Sequence, residues 1–194
     1  MKIFTKTLLL MTLLTNGLLS AETVDEAQAK FSVEGLNYAI NQQKFPWIKQ
    51  MLICEREWTY YAKTGDPKKC LKAAEMVLAL KGKTAPFSSY ELQYLNGKDD
   101  SSISKQAAQY VNSAGLIYGE QGDYKNQIKM YEKASNLGNA AASMNLGKLY
   151  YFGENVQKNH FKAFEYFKKS LNQGYSDAQV GIEAVCKESP WACK

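Results

Sequence analysis

The sequence predicts an all-α fold built from antiparallel helix pairs. In the segment 141–178, apolar side chains fall at helical spacing in two stretches, the first with Leu146 and Leu149 and the second with Phe164 and Phe167. The sequence shows no alternation of apolar and polar residues that would indicate strands, and no strong signal for a hairpin turn. Two amphipathic helices joined by a short loop form a hairpin, and its apolar faces must be covered by neighbouring units.

Glycines mark a close contact and the helix ends in this segment. Gly147 lies inside the first helix, where a glycine costs about 1 kcal/mol relative to alanine. We therefore expect it to make room for the second helix. Gly153 and Gly174 follow the two helices and are free to adopt the positive φ that ends a helix. Asn155 stands in the loop, and asparagine tolerates left-handed backbone better than most residues.

The same segment resembles one copy of the Sel1-like repeat, a relative of the tetratricopeptide repeat. The matching positions are Ala141 or Ala142, Leu146, Gly147, Tyr150, Gly153, Val156, Lys162, Ala163, Tyr166, Lys169 and Gly174. Asn155 replaces the second loop glycine of the repeat pattern, and Asn159 replaces its usual aspartate. The resemblance implies a right-handed α-solenoid that presents a binding surface and seldom carries chemistry.

Shorter copies of the pattern precede this one. Residues 107–138 repeat it with a tighter loop at Gly122-Asp123, and Gly115 lies 32 positions (147 − 115) before Gly147. Residues 58–82 echo it once more. We therefore expect about three helix pairs, with an extra helix before them and a cap after them, near the minimum for a stack that hides its own core.

The N-terminal elements follow from local signals. Helices are expected over residues 24–42, 46–63 and 67–81, with Pro67 suited to a first helical turn and Gly82 as the stop. Ser88 with Glu91 resembles a capping box before a short helix, Tyr90–Leu95.

The remaining helices complete the expected stack. Ser101 or Ser102 is expected to cap a helix that runs to about Tyr118. The last helix, about Ser176–Lys187, would cap the stack, and Pro190 with Trp191 prevents a simple continuation.

The first 21 residues predict a secretory signal peptide, and residues 22–194 a single helical repeat domain. Lys2 and Lys6 open a basic start, an apolar run too short to span a membrane follows, and Ala21 ends an acceptable cleavage site. The mature chain carries 22 basic (24 − 2) and 19 acidic side chains, a net charge of +3. That charge is too mild for nucleic-acid binding. We expect a periplasmic or secreted protein with no nucleic-acid partner and no stable membrane insertion.

Four cysteines in an exported chain predict two disulfides. Three connectivities are possible. Proximity along the chain favours Cys54–Cys70 and Cys186–Cys193. The rival interpretation is a metal site, but the spacing matches no zinc pattern and His160 is the only histidine.

Residues that could carry catalysis are few. His160 falls in a loop or in the first turn of a repeat helix, where a surface or capping role is expected. The carboxylate pairs Glu55/Glu57 and Asp99/Asp100 are expected to be solvated charges, since the first pair points to different sides of a helix and the second lies in a turn. We expect no catalysis, no metal and no cofactor.

A candidate protein-binding groove comes from one stripe of the repeat helices. In related solenoids the first helix of each pair lines the concave face. Tyr150 is expected to face the core, so its neighbour should point elsewhere. The predicted groove residues are Asn112, Leu116, Met144, Lys148 and Tyr151. Plain exposure to solvent is an equally good interpretation of this stripe.

The resemblance implies a protein-binding module without catalysis. Exported Sel1-like proteins are similar to immunity proteins that neutralise type VI secretion effectors, including phospholipases that act in the periplasm. We expect a secreted toxin of this kind as the partner. The alternatives are a cell-envelope adaptor, or a β-lactam-binding or β-lactam-hydrolysing cysteine-rich Sel1 protein. Members of that last class carry a disulfide in nearly every repeat, which the segment 141–178 lacks.

Overall fold

The computed structural model describes residues 24–82, 87–95, 97 and 99–193. Within these ranges all regular secondary structure is helical. The predicted signal peptide, residues 1–21, lies outside the described residues. The helices are α1 (Val24–Gln42), α2 (Pro46–Tyr60), α3 (Pro67–Leu78), α4 (Ser89–Leu92), α5 (Asp100–Glu120), α6 (Tyr124–Asn136), α7 (Ala140–Phe152), α8 (His160–Asn172), α9 (Ala178–Glu188) and a final 3₁₀ turn (Pro190–Cys193).

The helices form the predicted repeat solenoid. Three antiparallel pairs, α2–α3, α5–α6 and α7–α8, follow one another along the chain. The stack is continuous because α3 packs on α5 and α6 packs on α7. The extra helix α1 packs on α2, and α9 covers α8 at the other end. The predicted elements are therefore confirmed, although α2, α3 and α4 each end three residues earlier than the sequence suggested.

Short polar side chains begin most of the helices, as expected of N-caps. Asp66, Asp123, Asn139 and Asn159 each accept a hydrogen bond from a backbone N–H in the first turn of the following helix. In the short helix α4, Ser88 and Glu91 form the predicted capping box.

The start of α5 differs from the sequence prediction. Its cap is Asp99, whose Oδ1 accepts from the backbone N–H of Ser102 at 2.9 Å, and not Ser101 or Ser102. Asp100 also has a partner, because its Oδ1 accepts from the backbone N–H of Gly82 at 3.0 Å. The pair expected to be merely solvated thus stabilises a helix start and a turn, as carboxylates do near free backbone N–H groups.

Rings that face glycines bring together the helices of the pairs α5–α6 and α7–α8. A Cβ at Gly115 would lie 2.7 Å from the ring of Tyr131, and a Cβ at Gly147 would overlap the ring of Phe167. The other face of the Phe167 ring meets Gly181, where a Cβ would lie 2.8 Å away. Phe167 on α8 is 2% exposed. It therefore holds α7 and α9 together, and the expected role of Gly147 is confirmed.

The loop between α7 and α8 depends on left-handed backbone. Gly153 ends α7 with φ 76°, and Asn155 is the non-glycine residue of the described part with positive φ, at 58°. Both conformations agree with the prediction that asparagine at this position preserves the repeat loop.

Buried serines connect α6, α7 and α8. The hydroxyls of Ser135 and Ser143 lie 2.8 Å apart, and Ser143 also donates to Oε1 of Gln173 at 2.6 Å. The amide nitrogen of Gln173 donates to the carbonyl of Ser135 at 2.8 Å. All these buried polar atoms have hydrogen-bond partners. The network therefore joins the two repeats without the free-energy cost of an unsatisfied buried polar group.

The two disulfides pair as favoured from the sequence. Cys54–Cys70, with an S–S distance of 2.05 Å, ties α2 to α3, and both residues are fully buried in the main core. Cys186–Cys193, at 2.06 Å, ties α9 to the 3₁₀ turn.

Glu57 is buried, contrary to the prediction of a solvated carboxylate. It is 4% exposed, whereas Glu55 faces solvent as expected. Its Oε1 accepts from Arg56 and Lys69, each at 2.9 Å, and its Oε2 accepts from the backbone N–H of Asp66 at 3.2 Å. Burial alone raises the pKa of Glu57, but the hydrogen bonds from Lys69, Arg56 and Asp66 outweigh it and leave that pKa below its usual value.

Candidate functional site

The predicted groove residues lie on the first helices of two consecutive pairs. Asn112 and Leu116 are on α5, and Met144, Lys148 and Tyr151 are on α7. Lys148 is exposed, and the other four side chains are half-buried. The groove itself stays a prediction, because these positions establish exposure and neighbours but not a bound partner.

The groove residues divide between the two hydrophobic clusters of the molecule. Leu116 packs against the main cluster, which runs from α2 to α7. Met144 and Tyr151 pack against a second cluster, formed by Ala163, Phe167, Val185 and Ala192. The carbonyl oxygen of the Asn112 side chain is buried and accepts no hydrogen bond from the described residues. Lys148 is therefore the residue of the stripe that is most open to solvent.

Tyr151 is held from several sides. Its ring stacks on His160 at 5.4 Å and 22°, meets Phe152 edge-on at 4.9 Å, and lies 6.5 Å from Phe167. The carboxylate of Glu188 beside its hydroxyl raises the pKa of Tyr151, and the hydroxyl in turn lowers the pKa of Glu188. An aromatic side chain fixed in this way presents its edge to a partner with little further loss of side-chain entropy.

His160 is buried, contrary to the expected surface or capping role. It is 8% exposed, and its Nδ1 lies 2.6 Å from the hydroxyl of Ser189. Asn159 caps α8 in its place. The burial arises because the 3₁₀ turn folds back over the start of α8, a long-range contact that local sequence patterns do not encode. The Cys186–Cys193 spacing was the signal that could have indicated this return of the chain.

A Ser–His–acid set of residue types occurs here without the arrangement of a hydrolase. Ser189 and His160 are each more than nine-tenths buried, and Nε2 of His160 lies 3.9 Å from Oε1 of Glu188. Lys158 also bonds this carboxylate, at 3.2 Å. A shallow depression of about 380 Å³ lies on α8 and is lined by other residues, Glu165 to Gln173. The buried pair therefore serves to fasten the turn to α8.

Three exposed aromatic residues lie at the same end of the molecule as Tyr151. Phe152, Phe161 and Trp191 are 60%, 51% and 64% exposed. Phe152 contacts Tyr151, Phe161 follows His160, and Trp191 lies two residues after Ser189, which bonds His160. We call Tyr151, Phe152, Phe161 and Trp191 the aromatic end surface. The last three were not predicted as site residues from the sequence, because an aromatic residue in a helix is equally compatible with a buried position, and the place of Trp191 depends on how the turn docks.

The described part of the chain offers neither a metal centre nor a membrane span. No group of three or more His, Cys, Asp or Glu side chains in it is placed to hold a metal ion. No helix among the described residues is long and apolar enough to cross a bilayer.

Comparison with known proteins identifies two Sel1 repeats, at residues 106–139 and 140–175. These ranges correspond to the helix pairs α5–α6 and α7–α8. Sel1 repeats generally mediate protein–protein interaction. The pair α2–α3, closed by a disulfide, lies outside both matches.

Two curated relatives share part of the chain. An F-box protein of Arabidopsis thaliana is 38% identical over 74 residues, which is 38% of this chain and 20% of the relative. An uncharacterized protein of Neisseria meningitidis serogroup B is 39% identical over 64 residues, 31% of this chain and 14% of the relative. The alignments thus cover a fifth or less of these relatives. The aligned segments, 74 and 64 residues long, are about as long as two Sel1 repeats together.

Proposed function

We propose that this chain is an exported protein-binding module without catalysis, and that it acts as an immunity protein that binds and blocks a secreted toxic effector such as a type VI phospholipase. The observation that carries the proposal is the pair of Sel1 repeats, because the first helix of the second repeat holds exposed Lys148 and half-buried Tyr151 beside exposed aromatic residues.

The chemistry of this surface favours a protein partner. Tyrosine, tryptophan and phenylalanine are enriched in the cores of protein interfaces, and a few such residues carry most of the binding energy. Tyr151, Phe152 and Trp191 supply this kind of contact, and Lys148, one helical turn before Tyr151, adds an exposed positive charge. A toxin bound here would cover the aromatic side chains that water now contacts.

Export is supported by the cysteines. All four form disulfides within the described chain. Such bonds persist in oxidising compartments such as the periplasm. The predicted signal peptide at residues 1–21 agrees with this compartment.

A β-lactam-directed role is less well supported than protein binding. Both disulfides lie outside residues 106–175, so neither matched repeat contains a cysteine. The cysteine-rich Sel1 proteins linked to β-lactams carry one disulfide in nearly every repeat, and this chain departs from that pattern.

The test is a binding and neutralisation experiment. The purified exported protein would be immobilised and used to capture the toxin encoded beside its own gene, and inhibition of that toxin would be measured. We expect Lys148→Glu to weaken binding at least tenfold, with Lys125→Glu on the exposed side of α6 as the matched control. No binding of secreted toxins at micromolar concentration, or equal effects of both variants, would contradict the proposal. Turnover of a chromogenic β-lactam would favour the enzymatic alternative.

A further inference from the structure

We propose that the Cys186–Cys193 disulfide is a redox-controlled clasp that fastens the C-terminal turn onto the aromatic end surface. The proposal concerns the regulation of that surface, so its biological meaning rests on the proposed function. Opening of the clasp itself is measurable without any partner.

The two disulfides differ in how a reductant can reach them. Cys54 and Cys70 are fully buried between α2 and α3, inside the main core. Cys186 and Cys193 are partly exposed, lie seven positions apart, and join α9 to the short 3₁₀ turn. A short turn with few buried residues opens locally at low free-energy cost, whereas core helices separate only when the fold opens widely. A thiol can therefore attack the C-terminal pair while the first pair stays shielded.

The disulfide holds a turn that makes specific contacts with the start of α8. Ser189 bonds Nδ1 of His160 at 2.6 Å, and the 3₁₀ turn that follows places Ala192, fully buried, on the second cluster. Glu188, the last residue of α9, bonds Lys158 at 3.2 Å and lies beside the hydroxyl of Tyr151. The contacts of Ser189 and Ala192 depend on the chain turning back immediately after α9. The disulfide enforces that return.

Opening the clasp changes the neighbourhood of Tyr151. Once the turn is released, His160 loses Ser189 and becomes accessible, and its ring no longer has a fixed partner beneath it. The ring stack of Tyr151 on His160 then loosens, and Trp191 leaves with the released turn. Phe167 stays between Gly147 and Gly181, since that contact belongs to α7, α8 and α9 and not to the turn. Release is therefore local.

The redox step is an ordinary thiol–disulfide exchange with a dithiol reductant. A thiolate of the reductant attacks one sulfur of the pair, which forms a mixed disulfide and frees the other cysteine as a thiolate that takes up a proton. The second thiol of the reductant then attacks the mixed disulfide. Both cysteines end as thiols, the reductant ends as its disulfide, and two electrons have passed to the protein.

The first test follows reduction of each pair with dithiothreitol, alkylation of free thiols and mass spectrometry. We expect Cys186 and Cys193 to be alkylated at a dithiothreitol concentration at least tenfold lower than Cys54 and Cys70. Under these conditions, hydrogen exchange should rise in residues 158–163 and 186–193 and stay unchanged in residues 46–78. Simultaneous reduction of both pairs, or earlier reduction of Cys54–Cys70, would overturn the proposal.

The second test separates the clasp from general destabilisation. A Cys186→Ser/Cys193→Ser variant should show the raised exchange of residues 158–163 without reductant, and dithiothreitol should add nothing. Ser189→Ala, which removes one contact and keeps the disulfide, should show a smaller rise. If the double variant retains native protection at residues 158–163, the disulfide is not what holds the turn. If the clasp opens as expected but no toxin binds in either redox state, the proposed function fails and the clasp stands.

Discussion

The first helix pair and the two Sel1 repeats reach the same hairpin architecture by different means. The pair α2–α3 is closed by Cys54–Cys70 and by the buried carboxylate of Glu57. The repeats α5–α6 and α7–α8 contain no cysteine, and they are held by rings placed against glycines and by paired serine hydroxyls. A disulfide and an ion cluster can thus replace the glycine-to-ring contacts that identify the repeat in sequence.

The difference explains why the family match begins at residue 106. The repeat pattern records small residues where helices approach closely, as at Gly115 and Gly147. In α2–α3 the corresponding approach is made by a disulfide, with a Cα–Cα distance of 4.5 Å between Cys54 and Cys70. The pair α2–α3 keeps the hairpin geometry, although its first helix lacks the glycine of the repeat pattern.

Removal of the first disulfide should have the greatest effect on stability. A Cys54→Ala/Cys70→Ala variant loses a cross-link between residues that are 16 positions apart in the sequence. It also loses the sulfur atoms of two fully buried residues. We expect the free energy of unfolding to fall by about 4 kcal/mol, measured by denaturant titration. The control, Cys186→Ala/Cys193→Ala, should cost about 2 kcal/mol, because that loop is shorter and its residues are only partly buried. Equal losses of unfolding free energy in the two variants would contradict the difference in loop length and burial between the two disulfides.

In the repeats, a methyl group added at a glycine should lower the free energy of unfolding, as loss of the disulfide does in the first helix pair. Gly147→Ala places its Cβ into the ring of Phe167, so α7 and α8 must move apart. We expect a loss of about 2 kcal/mol, even though alanine is the better helix former. Thermal unfolding checks this expectation.

Gly119→Ala on α5 is the matched control for that substitution. There the new Cβ would meet only the flexible amide of Gln127, which can turn aside. The expected change is within about 1 kcal/mol. A loss as large as that of Gly147→Ala would show that the ring contact is not the cause.

The carboxylate of Glu57 should make the stability of the first helix pair depend on pH in the acidic range. Its pKa in the folded protein lies below the ordinary value of 4.5, so its contribution to stability is fully present above that pH and is lost as the pH falls toward the folded pKa. Glu57→Gln should cost about 1 kcal/mol near neutral pH. It should also flatten the decline in stability below pH 4.5, measured by denaturant titration across pH. Glu55→Gln, at an exposed position, should change neither quantity.

Local features of the fold were predictable from the sequence, because they depend on neighbours within one helix or loop. Gly147, Gly153 and Asn155 each have the conformation or contact that the pattern indicated. The burial of Glu57 and His160 was not predictable in this way. Glu57 meets Lys69 across a loop, and His160 meets Ser189, 29 positions further on, after the chain has turned. A polar residue gives no periodic signal when its partner arrives from a distant segment.

The residues of the candidate site also divide into those that the sequence predicted and those that it did not. The stripe from Met144 to Tyr151 follows from helical spacing, and the structure places it at a partly exposed face. Trp191 reaches this end of the molecule only because the 3₁₀ turn lies against α8, and this docking depends on a disulfide between residues outside the repeats.

Hydrogen exchange of the Cys54→Ala/Cys70→Ala variant, followed peptide by peptide, most directly tests the claim that the two regions are held independently. Residues 46–78 should lose protection relative to the native protein, while residues 106–175 keep theirs, because glycine-to-ring contacts and serine hydrogen bonds hold the repeats. Equal loss of protection across residues 106–175 would contradict the claim and make the whole solenoid dependent on its N-terminal disulfide.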